Sequence, residues 1–349
     1  MDKSHINLFK TQTPFIDIRS PKEYQRGSLP ASVNLPILLD SEYESVGIAY
    51  KKYGSKAALE LGYRIVAGDI KTKRVNSWIA FIKRNPDANL FCFRGGKRSE
   101  IAKNWLFESG LKIPVVKGGY KSMRNTCIKI LDFAPSEGKK WIIIGGLTGS
   151  KKTSLIKNQK TAINIEEIAN HRGSAFGSFG TPQPSQVNFE NKLAICYLNK
   201  KSDTIVLEDE SRIIGKNYLP IAWYKKMQSS SLVIIKIPLE ERIDNIYCEY
   251  IKQPLNKKME PDKLLLSLSN SLAKIKKRIG NDRHDEIQKD MNQAFRLNKI
   301  VSHKQWIKKI LVHYYDPMYK YQIERRKKLI LFEGNYDNVK DYLYSNIIL

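Results

Sequence analysis

Two strand–turn–helix units, each turning on glycines and crowded with cations, constrain the fold of this chain more than any other feature. The first runs from Asn89-Leu-Phe-Cys-Phe93 through Arg94-Gly-Gly-Lys-Arg98 into Ser99-Glu-Ile-Ala-Lys-Asn-Trp-Leu-Phe107, which has helical spacing. The second runs from Trp141-Ile-Ile-Ile144 through Gly146-Leu-Thr-Gly-Ser-Lys-Lys-Thr153 into the helical Thr153-Ser-Leu-Ile-Lys157. An apolar strand that feeds a glycine turn and then a helix belongs to α/β folds with parallel sheets, and such a turn offers backbone N–H groups to an anion. Thr204–Leu207 and Leu232–Ile237 add two further apolar runs separated by helix-compatible stretches, so the middle of the chain reads as a parallel sheet.

The expected organisation is a first α/β domain over 1–132, a linker over 133–140, a second α/β domain over 141–253 and a mostly helical region over 254–349. Within the first, Pro14–Arg19, Asn89–Phe93 and the short Val115–Lys117 read as strands; the linker is Phe133-Ala-Pro-Ser-Glu-Gly-Lys-Lys140. In the last, Leu264–Leu268, Ala273–Lys277 and Trp306–Leu311 show mixed apolar and basic helical spacing. No run of about 18 apolar residues exists to cross a bilayer and Met1–Asn7 lacks the apolar core of a secretory signal, so a cytoplasmic protein with no membrane partner is expected. The cysteines, Cys92, Cys127, Cys196 and Cys248, show no CxxC spacing, which argues against a zinc knuckle or a disulfide framework. Lys and Arg total 60 against 35 acidic residues, a formal charge of +25, and that excess suits a polyanionic partner through counterion release.

A thiolate is favoured by inward backbone amides, a helix start and nearby cations. Cys92 has all three, from Gly95 and Gly96, the helix near Ser99, and Arg94, Lys97 and Arg98, so it is the candidate nucleophile and these five are its anion loop. In the second unit Gly146, Gly149, Ser150, Lys151, Lys152 and Thr153 form a candidate P-loop, a cradle for a diphosphate, with Lys152 toward the terminal phosphate and Thr153 toward magnesium. The usual glycine before that lysine is replaced by Lys151. In Ile205-Val-Leu-Glu-Asp-Glu210, Glu208 or Asp209 is the candidate acidic group for a metal or its water, while Arg172 and Arg212 are candidate RNA or phosphate contacts. His171 reads equally as a local backbone partner. Lys274–Arg278, Lys308–Lys309 and Arg325–Lys328, beside Tyr314, Tyr315, Tyr319 and Tyr321, are candidate RNA clusters or plain solvated helix faces.

The spacing Cys92-x-x-x-Gly96-x-Arg98, with Asp17-Ile-Arg-Ser-Pro-Lys-Glu-Tyr24 and Gly27–Pro36 upstream, resembles the rhodanese domain over residues up to about 130. Further stretches make the whole chain similar to the tRNA 2-selenouridine synthases, in which a rhodanese-like domain is joined to a P-loop NTPase-like domain. They are Val46-Gly-Ile-Ala-Tyr-Lys51 with Gly54 and Gly62, Gly118–Lys121, His171–Gly177, Gln183–Gln186 with Phe189-Glu-Asn191, Glu208–Arg212 with Ile214-Gly215, and Tyr315-Asp-Pro-Met-Tyr319. The resemblance implies a two-step exchange at a wobble 2-thiouridine: geranylation of sulfur by geranyl diphosphate, then replacement by selenium from selenophosphate. Within that scheme the expected placement is the diphosphate at the P-loop and selenium at Cys92; a geranyl tail needs an apolar trough, for which Phe176 and Phe179 are candidates when they are not plain core aromatics. The implied partner is the tRNA anticodon loop, with a selenophosphate-supplying enzyme as a further candidate; the further expectations are no DNA, a monomeric state and no tightly bound cofactor, with magnesium the candidate ion. Two other readings stand beside it, a P-loop ATPase or kinase fused to a generic sulfurtransferase, and a non-catalytic tRNA-binding protein.

Overall fold

The computed structural model describes residues 2–157 and 159–347. The chain divides into two compact units: residues up to Phe133 together with Pro184–Asn199, and Ala134–Gln183 together with Lys200 onward.

The first unit is built on a parallel sheet of β1 (Phe15–Asp17), β2 (Ser32–Asn34) and β3 (Asn89–Phe91) in the order β2-β1-β3, with Ile16 opposite both Val33 and Leu90. Every residue of β1 is buried, as expected of a strand with both faces covered. Val115–Lys117 makes one parallel bridge, Leu90 to Val115, rather than a strand. Pro114 brings no N–H to it, and Gly118 and Gly119, at φ 73° and 59°, turn the chain immediately afterwards. Arg19 grips the buried Asp17 through its Nε (3.0 Å) and Nη2 (2.6 Å), donates to the Gly27 carbonyl (2.7 Å) and lies 3.6 Å over the Tyr120 ring. Burial nevertheless raises the Asp17 carboxyl above its ordinary pKa, against the pull of Arg19.

Helix Asp40–Ile65 is broken at Gly54, whose φ of 82° and ψ of −176° are open to glycine alone. Helix Gln186–Leu198 completes this unit, although it lies between segments of the other in sequence. Ser185 caps it, Asn188 accepts from the Ser28 amide (2.6 Å), Asn191 accepts from Arg124 (2.9 Å), and Phe189 and Leu193 are wholly buried. The contiguous second domain expected over 141–253 is therefore interrupted, because that helix carries its apolar face to the first unit.

The second unit has a five-stranded parallel sheet of β4 (Lys140–Gly146), β5 (Ala162–Ile163), β6 (Thr204–Glu208), β9 (Ser231–Ile235) and β10 (Ile330–Gly334), in the order β10-β9-β4-β6-β5; β7 (Ile213–Ile214) and β8 (Asn217–Tyr218) form a small antiparallel hairpin. Ile142, Ile143, Ile144, Val206, Leu207 and Val233 are wholly buried, which accounts for the uninterrupted apolar runs. β10 corrects the purely helical expectation for the end of the chain. Its residues alternate between half-buried and exposed, as at a sheet edge, and Phe332 stacks on Tyr342 of the last helix at 4.4 Å. The intervening helices pack a second apolar core around Leu272, Ile287, Met291 and Ile307. Among the described residues no helix is long and apolar enough to cross a membrane.

Candidate active site

The cysteine turn follows β3 directly. The Cys92 amide donates to Ser99 Oγ (3.0 Å), its carbonyl accepts from the Tyr120 amide (2.9 Å), and the Phe93 carbonyl accepts from Lys121 (2.9 Å). Gly119 sits so close that a Cβ there would lie 2.3 Å from the Cys92 oxygen and 2.6 Å from the Gly95 nitrogen. Among the described residues, the successive N–H groups from Phe93 to Arg98 donate to no protein acceptor, so the turn is a ring of free donors, with Gly95 at φ 68°. Burial and pairing change what the loop offers. Cys92 is only 3% exposed and belongs to the apolar core with Ile16, Ile37, Leu38 and Trp105, rather than standing open to solvent, because β3 delivers it beneath the turn. Nor are all the cations free: Arg98 makes a two-pronged pair with Glu23 (2.6 and 3.1 Å) and Lys97 pairs with Glu100 (2.8 Å), which leaves Arg94 exposed without an acidic partner among the described residues. Burial opposes the Arg98 charge, yet Glu23, with smaller contributions from Cys92 and Tyr43, raises its pKa above the ordinary value.

The second turn has P-loop shape. Gly146 and Gly149 take φ of 146° and 85°, and Lys151 itself adopts φ 62°, the left-handed conformation that the missing glycine would have supplied. The amides of Thr148, Gly149, Lys151, Lys152 and Thr153 donate to no acceptor among the described residues. Lys152 curls its ammonium back onto the Gly146 (2.9 Å) and Leu147 (3.4 Å) carbonyls, and the Ser150 hydroxyl is buried without a partner among the described residues. From behind, Arg242 donates to the Thr148 carbonyl (3.2 Å) while bound to Asp316 (2.8 and 2.7 Å), and Asn245 donates to Gly149 (2.9 Å). Asp316 thus explains part of the Tyr315–Tyr319 motif as a brace for the loop. Thr148 also borders an apolar pocket walled by Phe176, Tyr250, Trp306, Leu311 and Tyr315. Phe176 lines that pocket, whereas Phe179 is exposed and stacks on Arg172.

An acidic cluster lies at the same loop. Ligand oxygens of Glu166, Glu208 and Glu210, all buried, fall within 4.8 Å of one another, and Thr153 Oγ1 donates to Glu166 (2.9 Å) instead of standing free. Neither oxygen of Glu208 has a hydrogen-bond partner among the described residues. Burial first, and then the repulsion of Glu166, push the pKa of both Glu208 and Glu210 well above the ordinary carboxylate value. A set of oxygen donors only, one of them orphaned, fits a hard divalent cation. Asp209 is not part of it, because alternation turns it to the opposite face, where it pairs with the buried Arg326. The same alternation could have flagged Glu210 beside Glu208; Glu166, far away in sequence, carried no signal.

The remaining candidates are dispersed. Arg172 is bound to Glu249 (2.5 Å) and lies 4.4 and 4.7 Å over the rings of Phe179 and Tyr250, so it is committed within the protein. His171 accepts from the Gly173 amide (3.2 Å), and burial lowers its pKa. Arg212 is exposed beside the β7–β8 hairpin. Of the basic clusters, Lys308 and Lys309 pair with Glu240, Glu286 and Asp290, Lys276 pairs with Asp285, and Arg278 donates to the Tyr314 hydroxyl.

A rhodanese-like cysteine turn on one parallel sheet and a P-loop-shaped turn on another define a protein that joins a rhodanese-like domain to a P-loop-like domain. Comparison with known proteins agrees: residues 3–126 match the family model of the rhodanese-like domain, and residues 139–348 match that of the tRNA 2-selenouridine synthase AAA domain. The chain is 40% identical over 350 aligned positions to the tRNA 2-selenouridine synthase of Shewanella halifaxensis, covering 96% of each, and 41% identical to that of Nitrosomonas europaea, covering 97% of this chain and 96% of the relative. It belongs to the tRNA 2-selenouridine synthase family.

Proposed function

We propose that this chain is a tRNA 2-selenouridine synthase that exchanges the sulfur of a wobble 2-thiouridine for selenium, through an S-geranyl intermediate, on the anticodon loop of tRNA. One observation carries the reading: two rings of unspent N–H donors, one above Cys92 and one around Lys152, occur in a chain related over nearly its whole length to enzymes of that name. In the first step the thiocarbonyl sulfur attacks C1 of geranyl diphosphate, the C–O bond breaks and diphosphate leaves. The free amides of Thr148, Gly149, Lys151, Lys152 and Thr153, with the Lys152 ammonium, would receive that charge. In the second, a selenium nucleophile adds at C2 of the base and the prenyl thiol departs, a far better leaving group than a thiocarbonyl sulfur. The turn above Cys92, with Arg94, binds the phosphate of selenophosphate, whose selenium is that nucleophile; water then attacks phosphorus, the P–Se bond breaks and phosphate leaves, so no oxidant is needed. The Cys92 thiol gives its proton to the departing prenyl thiolate and regains one from water, for which the turn must lift because Cys92 is buried. Glu166, Glu208 and Glu210 would hold a divalent cation, which when bound supplies charge neutralisation beside the diphosphate.

The test is nucleoside mass spectrometry after incubation with 2-thiouridine tRNA, geranyl diphosphate and selenophosphate. Cys92→Ala is expected to accumulate geranylated uridine without selenation, and Lys152→Ala to lose geranylation first. Loss of both steps in Cys92→Ala would refute the division of labour. ATP turnover with no change in base mass would instead favour an ATPase fused to a sulfurtransferase.

A further inference from the structure

The Val46–Lys51 stretch with Gly54 and Gly62 has no part in either step above, yet it shapes the surroundings of the cysteine turn. The break at Gly54 folds helix Asp40–Ile65 into two limbs, and a Cβ on Gly62 would lie 3.9 Å from Val46 Cγ2, so the limbs lie against each other. Between them and the helix that follows the cysteine turn is a cavity of about 220 Å³. Val46 and Tyr50 wall it from one limb, Ala58 and Leu59 from the other, and Ile101 and Trp105 from the helix after the turn. Ile37, Leu38 and Trp105 line the cavity and also share the apolar cluster that contains Cys92. Apart from Ser55 and the two tyrosine hydroxyls, the polar side chains at its border are Lys97 and Arg98, which begin the helix at the anion turn.

We infer that this cavity receives the prenyl chain of an S-prenylated uridine during the selenium step, and holds the departing prenyl thiol. The inference rests on the S-prenyl reading above. An ordinary sulfurtransferase acting on small anions has no use for an apolar chamber beside its cysteine turn. At about 220 Å³ the chamber is smaller than the roughly 300–1,000 Å³ typical of sites for whole ligands, so it suits a hydrocarbon substituent rather than a nucleoside. The bend between the limbs is charged to match RNA: Lys51 and Lys52 before Gly54 and Lys56 after it are exposed, make no ion pair among the described residues, and stand beside the exposed Tyr50 and Tyr53. Phosphates at those cations and a splayed base at the turn would leave the chain directed into the apolar cavity.

The measurement is the affinity of the full chain for two RNA stem-loops that differ only in S-geranyl versus unmodified 2-thiouridine. Burial of the chain is expected to make the prenylated RNA bind about tenfold or more tighter. Ala58→Phe, which fills the cavity, and Leu59→Gln, which makes its more exposed wall polar without adding charge, are expected to abolish that preference while leaving affinity for the thiouridine RNA unchanged. If Ala58→Phe melts abnormally, Leu59→Gln decides. A photoreactive prenyl group on the RNA should label peptides within 46–66; labelling around Phe176 and Trp306 instead, or a preference that survives in a folded variant, overturns the inference. So does a wild-type protein with no preference. The S-prenyl reading itself fails on a different result, the absence of any geranylated nucleoside when the wild-type protein is given geranyl diphosphate.

Discussion

Lys151 holds a backbone conformation that costs a residue with a Cβ about 1–2 kcal/mol, and its side chain offers in compensation an exposed pair with Glu241 at 3.3 Å. Lys151→Gly should therefore raise stability by about 0.5–1 kcal/mol net of the entropy that glycine adds to the unfolded chain, read as a higher midpoint in denaturant melts. Glu208 is strained differently. Its folded pKa lies above the unfolded value, so between the two the folded state holds more protons and stability falls as pH rises. In chelator-containing buffer Glu208→Gln should be more stable than the parent at pH 8, by on the order of 1 kcal/mol or more, and nearly equal to it at pH 4. An equal deficit at both pH values would sink that account. At this scale the turns at Cys92 and Lys152 were legible because their neighbours along the chain carry the signal. The diversion of Arg98 to Glu23 and the arrival of Glu166 beside Glu208 depend on distant segments, which spacing cannot reveal.

Elements with strong local chemistry were equally legible. β4 and β6 announce themselves by unbroken apolar runs, and the helices after both turns by their periodicity. β2 and β10 do not, since one is three residues with no fully buried member and the other is a half-exposed edge. β10 matters out of proportion to its signal: it covers β9, and Val339 and Leu343 of the following helix are wholly buried against the sheet. Leu343→Ala should cost about 2–4 kcal/mol, read from the shift of a denaturant melt. Removing the chain from Ile330 onward should expose β9 as an open edge and produce concentration-dependent aggregation in light scattering. A truncated protein that stays monodisperse would show that β10 is dispensable.

For the whole molecule the charge of +25 was the most direct clue, though it named a class of partner and no surface. Many of the C-terminal cations considered for RNA are spent on carboxylates, whereas Lys51, Lys52 and Lys56 make no ion pair among the described residues. Affinity for tRNA should fall steeply and linearly on a log–log plot against salt, and neutralising those three lysines should shallow the slope by about 0.7–0.9 for each phosphate they had neutralised. An unchanged slope would move the electrostatic footprint elsewhere. The division into units was less legible than the charge, because helix Gln186–Leu198 carries no mark of which unit it serves. That helix also sets the order of events at birth: a nascent chain that has just emerged to Phe133 still lacks Phe189, Leu193 and the Asn188 and Asn191 partners of Ser28 and Arg124. The N-terminal unit must wait, with part of its core unclosed, while the ribosome makes the first strands of its neighbour.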